Sequence, residues 1–266
     1  MYTDQTLEVE NIEASNGILR EEIISFLKSN GLGIDDDIEQ FVIARCHRKI
    51  IACAGVAGST LKCIAVESEW RGTSLSSQII HEAQLLAAQK GEHHLFLLTS
   101  PENIKSFRGC GFYPLVTLDG RAALMENTPI GIHRYCSQLR HNHLVVADKI
   151  GAIVMNANPF TLGHQYLIEQ AAQACDWLHV FVVQEDVSVF PFKDRFSMVL
   201  DGSFHLSNVT VHPGSKYIIS RGTFPSYFLK EKQIVNEVYA AVDLMMFRRY
   251  IAPSLGITHR FVGTEP

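Results

Sequence analysis

The 266-residue sequence predicts an α/β protein in two parts: an N-terminal α/β domain over residues 1–118 and a Rossmann-like parallel-sheet domain over 149–266, with a connecting segment at 119–148. Three observations predict it. Short apolar runs alternate with helical runs in both halves, with a more polar stretch between them. Hydrophobic residues make up 47% of the chain and charged residues 19%, the balance of a folded globular protein. In the second half, each apolar run before the last leads into a helical run, the pattern of right-handed βαβ units.

The elements follow in order. "GILREEIISFLKSNG" (17–31) has apolar residues at helical spacing and a glycine stop. "EQFVIARCH" and "KIIACAGVAG" read as strands joined by a charged hairpin turn at Arg48 and Lys49, and "TLKCIAV" (60–66) continues the meander. "SLSSQIIHEAQLLAAQKG" (74–91) is helical, opening on hydroxyl caps and closing on Gly91. "HLFLLTS" (94–100) reads as a buried strand, "PENIKSFRGCG" as a short helix, and "FYPLVTL" as the last strand of this part. Residues 119–148 lack a long apolar run and predict one helix near 130–140.

From Lys149 the alternation restarts. "IGAIVM" is a strand, "GHQYLIEQAAQA" a helix, "DWLHVFVVQ" a strand, "FKDRFSMVLDGSF" a helix and "NVTVHP" a strand. The long helical run "EKQIVNEVYAAVDLMMFRRYIAPSLG" follows, and "THRFVGTEP" reads as a fourth strand. There is no internal repeat or low-complexity tract.

Composition excludes several classes. A net charge of −5 and a pI near 6.2 leave no basic footprint for nucleic acid. The twelve histidines are scattered, and the six cysteines form no CxxC pair, so free thiols in a reducing compartment are expected. The N-terminus is polar and acidic, unlike a targeting peptide, and no apolar run reaches the ~18–20 residues of a membrane span. A cytoplasmic protein is predicted.

The chemistry concentrates in "NPFTLGH" (158–164), directly after the first strand of the second part. In an open parallel sheet, ligands bind beyond the carboxyl ends of strands, where helix N-termini present free N–H groups that suit a phosphate. Gly163 leaves room for close approach, His164 adds a donor, the Thr161 hydroxyl sits on the same rim and Pro159 stiffens the turn. A histidine at a helix start can equally be a cap. In "FPFKDRFSMV", Lys193 and Arg195 suit phosphates, with an exposed capping turn as the alternative. Asp186 and the "ISRGT" residues Ser220, Arg221 and Thr223 are further rim candidates.

"TLGH" resembles the (H/T)xGH signature of the nucleotidyltransferase superfamily, whose members direct attack on the α-phosphate of a nucleoside triphosphate. In the first half, "IAVESEWRGTSLSSQII" and "NIKSFRGCGFYPL" resemble segments of GNAT-type acetyltransferases. There the loop pattern R/Q-x-x-G-x-G/A holds the pyrophosphate of coenzyme A. Here Glu69 and Ser74 replace its ends and Gly72 matches. The combination, with "FPFKDRF", "YIISRGTFPSYFLK" and the terminal "VGTEP", resembles the citrate lyase ligase family over almost the whole chain.

That resemblance implies an acid–thiol ligase. It would use ATP with Mg²⁺ to adenylylate acetate, then acetylate the thiol of the prosthetic group on the citrate lyase acyl carrier subunit. It implies His164, Thr161 and Lys193 as catalytic residues, and Asn158, Pro159, Phe160, Gly163, Arg195, Gly263 and Thr264 as ATP-binding residues. Gly72 would serve a coenzyme-A-like arm, and no metal ligand is assigned. The superfamily's second phosphate signature, ISxTxxR, does not occur before Pro266, so the second domain is expected to be incomplete at its C-terminus. A simple nucleotidyltransferase, a direct acetyltransferase and a non-catalytic nucleotide-binding remnant remain as alternatives.

Overall fold

A computed structural model describes residues 7–143, 145–184, 189–218, 227–228 and 232–263. The chain divides into two compact units, residues 1–131 with 225–242, and residues 132–224 with 243–266.

The first unit begins with β1 (Leu7–Glu13), α1 (Gly17–Ser29), β2 (Gln40–Cys46), β3 (Lys49–Ala57) and β4 (Thr60–Val66). It continues through α2 (Leu75–Gln89), β5 (Phe96–Thr99), α3 (Ile104–Gly109), β6 (Tyr113–Leu118) and β7 (Ala122–Glu126). The seven strands form one sheet in the order β1-β2-β3-β4-β5-β7-β6. Every pairing is antiparallel except β4 with β5. Those two pair only at Thr60–Phe96 and Leu61–Leu97, and beyond that point they diverge.

Helices cover both faces of this sheet. On α2, Leu75, Ile79, Ile80, Ala83, Leu86 and Ala87 are buried at three- and four-residue spacing, and they pack with Val42, Ala54 and Leu97. On α1, Ile23, Phe26 and Leu27 pack with Phe41 and Ile43 on the opposite face. Asn16 caps α1 by accepting the Leu19 N–H. Lys62 of β4 is buried and held by Asp37 at 2.6 and 2.8 Å.

Two strands depart from the sequence reading. β1 lies at the sheet edge with five of its seven residues exposed, so it carries no apolar run to signal it. β7 falls inside 119–148, expected as a connector, yet all five of its residues are buried between β5 and β6. Its shortness hid it, since period cannot be read from five residues.

The second unit holds α4 (Gly131–His143) from Ile132 onward, then β8 (Ile150–Met155), α5 (Leu162–Gln173), β9 (Trp177–Val182), α6 (Phe192–Ser203) and β10 (Val209–Pro213). α7 (Lys232–Met246) follows, and the division between the units falls inside it. A π turn at Phe247–Ile251 leads to α8 (Ala252–Leu255), which stops at Gly256 with φ +69°, and to the two-residue β11 (His259–Arg260).

The sheet is fully parallel, in the order β10-β9-β8-β11. α5 and α6 bury Ile168, Ala171, Ala172 and Val199 against one face. Leu139 of α4, the π turn and α8 cover the other. The order runs away from β8 in both directions, so the crevice of an open α/β sheet falls at the carboxyl end of β8. No described helix is long and apolar enough to cross a membrane.

Candidate functional site

The segment that leaves the carboxyl end of β8 is Asn156 to Thr161, and α5 begins directly after it. Thr161 is the N-cap residue, in extended conformation at φ −124°, and the first intrahelical bond runs from Gln165 N–H to Thr161 O. The N–H groups of Leu162 and Gly163 therefore precede the helical ladder, just beyond the carboxyl end of β8.

His164 is bound back to this cap. The Thr161 N–H donates to His164 Nδ1 at 3.1 Å, and the Thr161 hydroxyl lies 2.8 Å from the same nitrogen. An Nδ1 that accepts a main-chain N–H carries no proton, so the neutral ring holds its proton on Nε2. Burial lowers the pKa of the ring, which favours this neutral form. His164 is thus both a cap and a donor with a set tautomer.

Gly163 has no steric reason within the fold. A Cβ there would meet only Thr161 Oγ1, at 3.7 Å, and glycine in a helix costs ~0.5–1 kcal/mol relative to alanine. Phe160 stacks beside the His164 ring, centroids 5.8 Å apart. On its other side it lies against Gly202 of α6, where a Cβ would overlap the phenyl ring. The Asn158–Pro159 peptide is cis, and Asn158 Oδ1 accepts the Phe190 N–H at 3.0 Å.

The two cations of α6 have different surroundings. Lys193 is exposed in the first turn. Arg195, two residues on, is fully buried. Its Nε donates to Phe190 O, and one terminal nitrogen donates to Asn156 O, Asn156 Oδ1 and Val183 O at 2.6–3.0 Å. Bonds from a charged donor contribute ~1.5–3 kcal/mol each, so a guanidinium bound in this way is costly to move. Gly263, after β11, is exposed, and a Cβ there would lie 3.8 Å from Leu167 of α5. Thr264, Asp186, Ser220, Arg221 and Thr223 lie outside the described residues.

Two contributors escaped the sequence reading. Asn156 had a signal in its place directly after an apolar strand. Gly202 had one as an isolated glycine inside a helical pattern, which implies a packing reason.

The first unit holds a cavity of about 540 Å³ where β4 and β5 diverge, lined by Ile64, Val66, Thr99, Gly72, Ser76 and Tyr227 among others. Gly72 is left-handed at φ +79°, a conformation that favours glycine. Its neighbour Arg71 is tied to Val66 O and Asn30 Oδ1. The first bond of the α2 ladder runs from Gln78 N–H to Ser74 O, so the Ser76 and Ser77 N–H groups precede the ladder at the cavity wall.

Two comparisons of sequence bear on identity. The family described as citrate lyase ligase C-terminal domain matches residues 150–266. The [citrate [pro-3S]-lyase] ligase of Klebsiella pneumoniae is 49% identical over 247 residues, covering 93% of this chain and 72% of that protein. This chain belongs to the citrate lyase ligase family. The Escherichia coli K12 citrate lyase ligase is 48% identical over 92% of this chain and 69% of its own length. Among solved structures, Escherichia coli ElaA matches with 14% identity and a TM-score of 0.39, covering 46% of this chain and 99% of ElaA. A GNAT-family acetyltransferase of Staphylococcus aureus matches with 17% identity and a TM-score of 0.36, covering 45% of this chain and 98% of its own.

Proposed function

We propose that this citrate lyase ligase family member activates acetate with ATP, forming acetyl-AMP and pyrophosphate. It then acetylates the thiol of the prosthetic group on the citrate lyase acyl carrier subunit. Family membership supports the ligase class. The observation that carries the site assignment is His164, held as the Nε2–H tautomer by its own helix cap at the carboxyl end of β8.

In the first step an acetate oxygen attacks the α-phosphorus of ATP, and the bond to the bridging oxygen of pyrophosphate breaks. Charge grows on the α-phosphate oxygens and on the leaving pyrophosphate, so fixed donors are the main requirement. His164 Nε2–H and the free N–H groups of Leu162 and Gly163 serve the α-phosphate, with Thr161 orienting the ring. The fit with ATP rests on the glycine at 163, where the fold itself leaves room for a side chain. Asn158, Pro159 and Phe160 shape this wall, Gly263 closes it, and Lys193 meets the leaving phosphates. Mg²⁺ would enter with ATP, held largely by its phosphates. In the second step the carrier thiolate attacks the acetyl carbonyl carbon and AMP leaves.

The cavity of the first unit is read as the seat of the coenzyme-A-like arm, with Gly72 and the first turn of α2 at its phosphate end. An unchanged KM for the carrier in Gly72 and Ser74 variants would overturn that part.

The test incubates the chain with ATP, Mg²⁺ and acetate and follows pyrophosphate, with and without the thiol form of citrate lyase. Acetate-dependent release and acetylated carrier are expected. Acetylation from acetyl-CoA without ATP, or ATP binding without turnover, would contradict the reading.

A further inference from the structure

We infer that Arg195 is a positioning residue that fixes the motif loop, and that it does not itself bind phosphate; this rests on the adenylylating role of the site proposed above. Asn156 directly follows β8 and Val183 directly follows β9, and these strands are in parallel register with Met155 opposite Val182. One terminal nitrogen of Arg195 donates to the carbonyls of both residues, at 2.6 and 3.0 Å, and to Asn156 Oδ1 at 2.8 Å. Its Nε donates to Phe190 O at 3.0 Å, and the guanidinium lies 5.6 Å from the Phe192 ring centre.

Arg195 therefore joins the carboxyl ends of two neighbouring strands to the segment that precedes α6. Asn158 Oδ1 closes the same link from the other side by accepting the Phe190 N–H. The loop between Asn156 and Thr161, which ends in the cap of His164, is thus held at both Asn156 and Asn158. The guanidinium is fully buried, with Nε and one terminal nitrogen bound to main-chain acceptors, so a phosphate could reach it only by opening this packing. Lys193, exposed two residues earlier on the same helix, meets no such obstacle.

A residue that orients the loop acts on the transition state through His164 more strongly than on ground-state ATP binding, which meets the loop only at its wall. A misplacement near 1 Å costs on the order of 10²-fold in rate.

The experiment compares the full chain with Arg195→Lys and Asn156→Ala. The second variant removes one acceptor and keeps the arginine. Acetate-dependent pyrophosphate release, ATP affinity by calorimetry and amide exchange at Phe190 are measured. Positioning predicts that Arg195→Lys loses about 10- to 100-fold in kcat while KM and Kd for ATP change less than about tenfold, with a smaller loss in the same direction for Asn156→Ala. It also predicts faster exchange at Phe190 in Arg195→Lys. A rise of about tenfold or more in the ATP Kd, with Phe190 exchange unchanged, would mark a phosphate ligand and overturn the inference. So would an Arg195→Lys protein equal to the parent in all three measurements. Absence of acetate-dependent pyrophosphate release in the parent chain would sink the proposed function alone; ATP affinity and Phe190 exchange would still decide the role of Arg195.

Discussion

The main-chain N–H of Thr161 donates to Nδ1 of His164 at 3.1 Å, so one turn of backbone determines which ring nitrogen carries the proton. A histidine at the third helical position would otherwise be an unremarkable cap. Here capping and tautomer belong together, because the cap occupies Nδ1 and leaves the ring proton on Nε2.

Removal of that donor should be costly. His164→Ala is expected to lower adenylylation by roughly 10²- to 10³-fold, the typical loss for one transition-state donor. Steady-state pyrophosphate release checks it, and near-parental turnover would refute the assignment.

The same bond predicts a pH dependence. Protonation of His164 places a hydrogen on Nδ1 and breaks its acceptance of the Thr161 N–H. Burial lowers the pKa, so the neutral ring persists below the ordinary histidine value of about 6.5. A pH–rate profile should show kcat constant near neutrality, with its acid limb below pH ~6.5. An acid limb above that value would contradict the geometry.

Gly163→Ala should separate stability from activity. No protein atom obstructs the new methyl, and alanine favours a helix by up to ~1 kcal/mol over glycine. Thermal or denaturant unfolding should show equal or greater stability, while calorimetry shows weaker ATP binding. Unaltered ATP affinity would remove the reason given for this glycine.

Gly202→Ala should have the opposite stability effect despite the same exchange of residues. Its methyl would lie 2.8 Å from Phe160 Cζ and closer still to Cε1. Overpacking of this kind costs ~1–3 kcal/mol, which exceeds the helix-propensity gain. Lower stability and reduced turnover are expected together, because Phe160 also stacks beside His164.

The parallel sheet carries a separate acid sensitivity. His179 and His212 are buried side by side, with Nδ1 and Nε2 2.9 Å apart, and the His143 ring of α4 stands edge-on to His212. Burial, with the neighbouring histidines, lowers their pKa values to about 4 and about 3. Folded values below the unfolded ~6.5 mean that the unfolded state binds protons first. Their stabilising contribution is full above pH ~6.5, declines as pH falls and is gone below the folded values. Urea unfolding between pH 7 and pH 5 should show this loss, and His212→Phe should make the slope shallower.

Strands β2, β3, β8 and β9 were legible because burial on both faces writes continuous apolar runs. β1 was not, because an edge strand with five of seven residues exposed, three of them charged, looks like a loop. The motif was legible through its place after an apolar strand. Arg195 was found as a cation, but its surroundings depend on Asn156, 39 residues earlier, and Val183, 12 residues earlier. Such contacts leave no periodic mark, so sequence reasoning could not tell a ligand from a clamp.

The most direct test of the account is exchange of labelled pyrophosphate into ATP, followed with and without acetate in the parent chain and in His164→Ala. Acetyl-AMP formation at this site predicts exchange that requires acetate and falls by roughly 10²-fold or more without the imidazole. Exchange that proceeds without acetate, or at the full rate in His164→Ala, would contradict it.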